Sequence, residues 1–238
     1  MSHSVSNSNT FLAYFNHIDK FFEVALWLTA YMPFTEKVDK IAQWRYAVSS
    51  FVRKQQHKLK YFGDLRNQVV HGFRLEQHHY LLASDYAVMQ IKTIYEHLTK
   101  PPTIHTWCTQ KIPYARTDTT MQEVITLITQ ADLPALPIQD TTWAYHDTIF
   151  LKQIVSAALQ PDFLSDPVEK YLKVSISPAL FMSSDASVYE IEWLFSTLVE
   201  DEEYNELIWI TATGHPDEEI IWIITAVDLP KLDQEVIL

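Results

Sequence analysis

The chain repeats part of itself, and this limits its fold more than any other feature. Residues 118–128 align with residues 185–195 at a constant offset of 67, with Asp, Glu and Leu identical and the apolar positions matched. Both segments have helical spacing, and Asp118 and Asp185 stand where an N-cap or first-turn carboxylate is expected. Two strand-like runs follow each copy: 135–138 and 142–145 after the first, 207–213 and 219–224 after the second. The second strand pair is joined through Gly214, His215, Pro216 and Asp217. Residues 150–159 are again helical in pattern. A duplicated unit of this size usually packs its two copies face to face.

The first half has a different texture. Phe11, Phe15, Ile18, Phe22 and Leu26 recur every three or four residues, as do Val38, Ile41, Trp44, Val48 and Phe51. Val88, Ile91, Ile94 or Tyr95, and Leu98 form another such stripe, so amphipathic helices are expected. Pro33 separates the first two helices, Gly63 and Asp64 offer a break and cap for a third, and Ser84 or Asp85 caps a fourth. An up-and-down bundle buries such stripes with short connections. Pro101 and Pro102 mark the linker between halves. Charge changes sign across it. Residues 1–100 carry 12 Lys and Arg against 8 Asp and Glu, a balance of +4, and the remainder carries 6 against 22, a balance of −16.

Other features narrow the chemistry. The 3 glycines among 238 residues stand at Gly63, Gly72 and Gly214, so neither a phosphate-binding GxxxxGK loop nor a dinucleotide GxGxxG turn exists. Cys108 is the single cysteine, which excludes an intrachain disulfide and a Cys-rich zinc site. His78 and His79 have only Glu76 near them at ligand spacing, so no metal is expected. No basic and then apolar leader is visible, and the apolar stretch at 24–34 is too short to span a bilayer. A cytoplasmic protein is expected.

The segment Ile223, Ile224, Thr225, Ala226, Val227, Asp228, Leu229 resembles the last strand-to-helix turn of a CBS domain: two apolar residues, Thr or Ser, any two, Asp, Leu. Residues 178–185 resemble the start of the same unit, and 114–118 its counterpart in copy one. The resemblance implies a tandem CBS pair, with one unit over 105–160 and the other over 165–238, acting as a regulatory module for adenosine-containing ligands. In it Thr225 and Asp228 match the positions that hold the ribose or first phosphate. A carboxylate accepts two hydrogen bonds from a ribose diol, though Asp at this position also simply caps a helix. Trp222 stands where Gly is usual and would either fill the cleft or stack on adenine. Copy one offers Asp147 and Phe150 where Thr and Asp are wanted, so its site is expected to be degenerate. The acidic balance favours AMP or another adenosyl compound over ATP.

Arg66, Asn67 and His71 fit an R-x4-H signature, and with the helical stripes residues 1–100 resemble a HEPN domain, whose members are helical bundles, some of them metal-independent ribonucleases. The resemblance implies that His71 takes a 2′-hydroxyl proton while Arg66 holds the scissile phosphate. Side chains five apart on a helix point about 140° from one another, so Arg66 and His71 of one chain need not converge unaided, and the resemblance implies a two-fold dimer that puts both pairs around one cleft. Asn67, four before His71, shares its face and orients the ring. Arg53, Lys54, Lys58 and Lys60 would track an RNA backbone. Phe73 replaces the Tyr of the toxin subgroup, and a polar network at an interface is the alternative role of the pair.

The expected architecture is therefore α plus α/β: an N-terminal helical bundle and then the pair of short β-sheets and helices. The expected function is ligand sensing by the pair, controlling an RNA-binding or interaction domain in a homodimer. A ribonuclease gated by the pair and a ligand-free dimerising scaffold stay open as alternatives.

Overall fold

The computed structural model describes residues 2–44, 46–72, 82–108, 111–172, 179–200 and 207–236. Backbone contacts divide the chain into two compact units. The first is residues 1–102 with 187–194 and 237–238, and the second is 103–186 with 195–236.

In the first unit α1 (Ser2–Ala25) packs against α4 (Asp85–Thr99), and α2 (Phe34–Gln43) against α3 (Ala47–Gly72). The first stripe is buried as expected: Phe11, Phe15, Ile18 and Phe22 all lie in the core. Leu26 lies past the helix end. There Trp27 turns left-handed at φ 53°, and the N–H groups of Leu28 and Trp27 bond back to Glu23 and Val24, closing the last turn. Pro33 immediately precedes α2 without a side-chain cap, and the Ser84 hydroxyl caps α4 by accepting from the Ala87 N–H at 3.1 Å.

Two expected boundaries are different. The stripe from Val38 to Phe51 belongs to two helices, because Trp44 is extended (ψ 158°) and ends α2. Gly63 breaks nothing; α3 runs through it. The residue serves packing instead, since a Cβ there would stand 3.2 Å from a ring carbon of Phe34, whose ring lies 4.5 Å from that of Phe15.

The second unit carries the duplication. In copy one, Ala115 bridges Ile138 in parallel, then come α5 (Met121–Ala131), β1 (Ala135–Gln139), β2 (Tyr145–Phe150) and α6 (Leu151–Ala157). In copy two, β3 (Leu180–Ser183) pairs in parallel with β4 (Leu207–Thr211), which pairs antiparallel with β5 (Trp222–Thr225). Between β3 and β4 runs α7 (Val188–Glu200), and α8 (Leu229–Val236) follows β5. The two copies share one register. Ala115 opposite Ile138 matches Met182 opposite Ile210, and Ala135 opposite Phe150 matches Leu207 opposite Thr225.

The helix starts repeat as well, but not on the expected aspartates. Thr120 and Ser187 are the capping residues, and each closes a reciprocal box with Glu123 or Glu190. Asp118 lies two residues earlier and pairs with Arg116 at 3.4 Å. The strand expected at 142–145 begins only at Tyr145, because the Asp140 carboxylate accepts from the Thr142 N–H and hydroxyl and from the Ala144 N–H, which fixes a turn. Strands β1 and β4 are buried along their whole length. Alternate residues of β1 face different cores: Leu136 and Ile138 pack with α5 and α6, whereas Ala135 joins Leu207, Trp209, Ile220 and Ile223.

Candidate functional site

The sequence motif Thr225 to Asp228 occupies the turn from β5 into α8. The Asp228 carboxylate accepts from the Thr225 N–H at 3.0 Å and from the Thr225 hydroxyl at 2.9 Å, and its other oxygen lies 3.3 Å from Lys231 Nζ. The two motif residues thus hold each other, and the carboxylate caps the helix start. Lys231 is a cation that sequence reading overlooked; it stands three residues after Asp228, on the same helical face. Both Thr225 and Asp228 are half-buried. A ligand diol approaching Asp228 meets a carboxylate already turned toward the protein, and it has to replace the Lys231 contact or the Thr225 hydroxyl.

The strand register corrects the equivalence assumed for copy one. Phe150, not Asp147, stands opposite Ala135 as Thr225 stands opposite Leu207, so Gln153 occupies the place of Asp228. The local bond is retained in kind. The Phe150 N–H donates to Gln153 Oε1 at 2.7 Å, as the Thr225 N–H donates to Asp228. Asp147 corresponds to Trp222, and burial raises its carboxyl above the usual range.

Aromatic side chains fill the core shared by the two copies. Trp209 is fully buried and donates its ring N–H to the Thr148 hydroxyl at 3.0 Å, which also bonds the Tyr145 hydroxyl at 2.7 Å. Burial pushes the Tyr145 pKa up to about 12, its bond to Thr148 acting the other way, so the phenol is neutral at physiological pH. Trp222 packs against this same core. Its ring therefore lies with the fill rather than free of it. Nothing in the sequence distinguished Trp209 or Thr148 from ordinary strand residues.

The basic motif of the helical unit is dispersed. Arg66 Nη1 donates to Asn67 Oδ1 at 3.1 Å, so Asn67 serves Arg66 and not His71. His71 is exposed near the end of α3, and its ring has no hydrogen-bond partner among the described residues. The basic residues expected to follow a phosphate backbone are engaged within the unit. Arg53 Nε donates to the Ala42 carbonyl, Lys54 pairs with Glu192 at 2.8 Å, Lys58 donates to Gln90, and Lys60 pairs with Asp39 at 2.5 Å. Phe73, Glu76, His78 and His79 lie outside the described residues. Among those described, no group of three or more His, Cys, Asp or Glu side chains is placed to hold a metal ion, and no helix is long and apolar enough to cross a membrane.

No protein-family model matches the sequence, and no curated protein matches it. Solved structures similar to part of the chain include CBS-domain proteins. One from Kribbella flavida is 19% identical, with 55% of this chain and 97% of that one covered at a TM-score of 0.42. The CBS domain of a membrane protein from Sphaerobacter thermophilus is 14% identical over 62% of this chain and 97% of its own, at 0.43. CBSX2, solved in complex with AMP, is 13% identical over 57% and 98%, at 0.41.

Proposed function

We propose that the chain is a ligand-sensing regulatory protein whose duplicated half is a CBS-type pair taking an adenosine compound at the turn Thr225 to Asp228. The observation that carries this reading is the common register of the two copies, which sets the same strand-to-helix turn in each and keeps a Thr and an Asp in only one of them. Lys231 beside Asp228 suits a ligand of low charge, such as AMP or an S-adenosyl compound, in an otherwise acidic half. Isothermal titration of the full chain with AMP, S-adenosylmethionine and ATP tests it. One weak site per chain is expected, with ATP no tighter than AMP, and Asp228→Asn should abolish the heat while keeping a capping acceptor at the helix start.

A second reading, a ligand-free scaffold, is favoured by one feature: the buried Trp209, bonded to Thr148, occupies the core shared by the copies. Absence of heat with all three compounds would select it. The ribonuclease alternative has no comparable support, since no side-chain bond ties His71 to Arg66 or Asn67 and the neighbouring Lys54 and Lys60 are ion-paired within the unit.

A further inference from the structure

We propose that the helical unit carries a separate site for a small zwitterion of the apolar α-amino-acid class, in the pocket between α1, the start of α2 and the middle of α3. The pocket has a volume of about 200 Å³. That is the space of roughly six waters, below the roughly 300 Å³ at which pockets for drug-sized ligands begin. A nucleotide is too large for it, whereas a single amino acid is not.

The charges lining it decide the ligand class. Asp19 is already committed to Lys37 at 2.6 Å. Asp64 has no ion-pair partner among the described residues, and Arg66 makes one hydrogen bond, to Asn67, which leaves most of its five N–H donors unused. On α3, Gly63 and Asn67 form the middle of the lining face, and Asp64 and Arg66 stand on its two flanks, about 160° apart around the helix axis. One uncommitted negative charge and one uncommitted positive charge thus border the same small space without pairing with each other. An anion or a cation alone answers half of this arrangement; an ammonium and a carboxylate on one small molecule answer both.

Asn16, Thr35 and Asn67 add neutral polar groups to the lining, and the rest of it is aromatic or aliphatic. Phe15 and Phe34 lie with ring centroids 4.5 Å apart. Gly63 presents no side chain where a Cβ would stand 3.2 Å from Phe34. Tyr31 borders the pocket with 92% of its surface exposed, a ring available to cover a ligand side chain. Arg66 takes the carboxylate, Asp64 the ammonium, and the rings take an aliphatic side chain.

Titration calorimetry on the full chain with L-leucine, L-valine and L-methionine tests this, alongside N-acetyl-L-leucine and L-leucinamide. Saturable binding of at least one free amino acid is expected. Its N-acetyl or amide form should bind at least about tenfold more weakly, as should Arg66→Lys, which keeps the charge but loses the planar fork, and Asp64→Asn. Circular dichroism confirms that the two conservative variants are folded. No heat with any of the three amino acids, equal binding of the blocked forms, or unchanged binding in both variants would overturn the proposal. These titrations do not involve adenosine compounds, so this site and the one at Asp228 stand or fall separately.

Discussion

Lys37 shows how much one side chain decides in the helical unit. It is 2% exposed and bonds Asp19 at 2.6 Å and Glu23 at 3.0 Å. Burial works against its charge, and the two carboxylates overcome that penalty, so its pKa is raised; the bond to Lys37, helped by Lys20, holds Glu23 below the usual carboxylate range. Lys37→Met leaves two partly exposed carboxylates without their partner and should cost about 1–3 kcal/mol in urea unfolding. The pH dependence has a definite sign. The Lys37 contribution is complete below the ordinary lysine pKa and is lost only as pH rises through the raised value. The Glu23 contribution is present above the ordinary carboxylate pKa and is lost as pH falls through the lowered one. Lys37→Met should therefore flatten the acid limb of stability as pH falls below the ordinary carboxylate range. His97 adds a limb nearer neutrality. It stacks on Phe51 at 5.3 Å, bonds the Tyr189 hydroxyl at 2.6 Å, and burial lowers its pKa. Its neutral form is favoured in the fold, so that stability is present above about pH 6.5 and falls as pH drops toward the lowered value. Urea midpoints at pH 7.5 and 5.5 should differ more in the wild type than in His97→Gln.

At the scale of elements, periodicity was legible where one apolar face meets one core. The stripes of α1 and α4 are buried as the spacing implies except at their ends, Leu26 and Val88, which are half-buried, and α5 buries Met121, Val124 and Ile128. It misled where tertiary contact decided the outcome: Val38 to Phe51 keeps helical spacing across a real break at Trp44, and Gly63 reads as a breaker only until Phe34 is seen against it. The offset of 67 is preserved between the capping residues Thr120 and Ser187, whereas the strands drift to 72 between Ile138 and Ile210. Asp147 and Phe150, the copy-one equivalents expected for Thr225 and Asp228, lie 78 residues before them, whereas the strand pairing sets that offset at 75 and moves the equivalents to Phe150 and Gln153. Register, which follows from hydrogen-bond pairing, is the stricter ruler. Two consequences are measurable. Thr120→Ala removes a reciprocal cap and should lower stability by about 1 kcal/mol. Gly214 joins β4 to β5 at φ +92°, and an added Cβ would stand 3.1 Å from the backbone nitrogen of Ser183. Gly214→Ala should cost more than about 1 kcal/mol, a loss that a gain in thermal midpoint would contradict.

For the whole molecule, the division of the chain does not follow the linker at Pro101 and Pro102 alone. Residues 187–194, the cap and first turns of α7, group with the helical unit although they belong to the repeat in sequence. Tyr189 explains the grouping physically: it is 2% exposed, lies 5.0 Å from the Phe51 ring and bonds His97. Three residues on, Glu192 accepts from the Ser50 hydroxyl at 2.7 Å and pairs with Lys54. Copy one has Gln122 and Ile125 at the matching positions, so the change that recruits α7 lies in two residues of an otherwise shared helix. Burying a tyrosine ring of this kind contributes about 2–3 kcal/mol, and removing it leaves His97 without its partner. Tyr189→Ala in the full chain should therefore reduce amide-exchange protection in α3 and α4 by roughly the factor of 30 to 150 that such an energy implies, while α5 and β1 keep theirs. Tyr189→Phe, which keeps the ring and loses only the hydroxyl, should recover most of that protection. Equal loss across both units, or no loss in α3 and α4, would show that the first turns of α7 do not stabilise the helical unit.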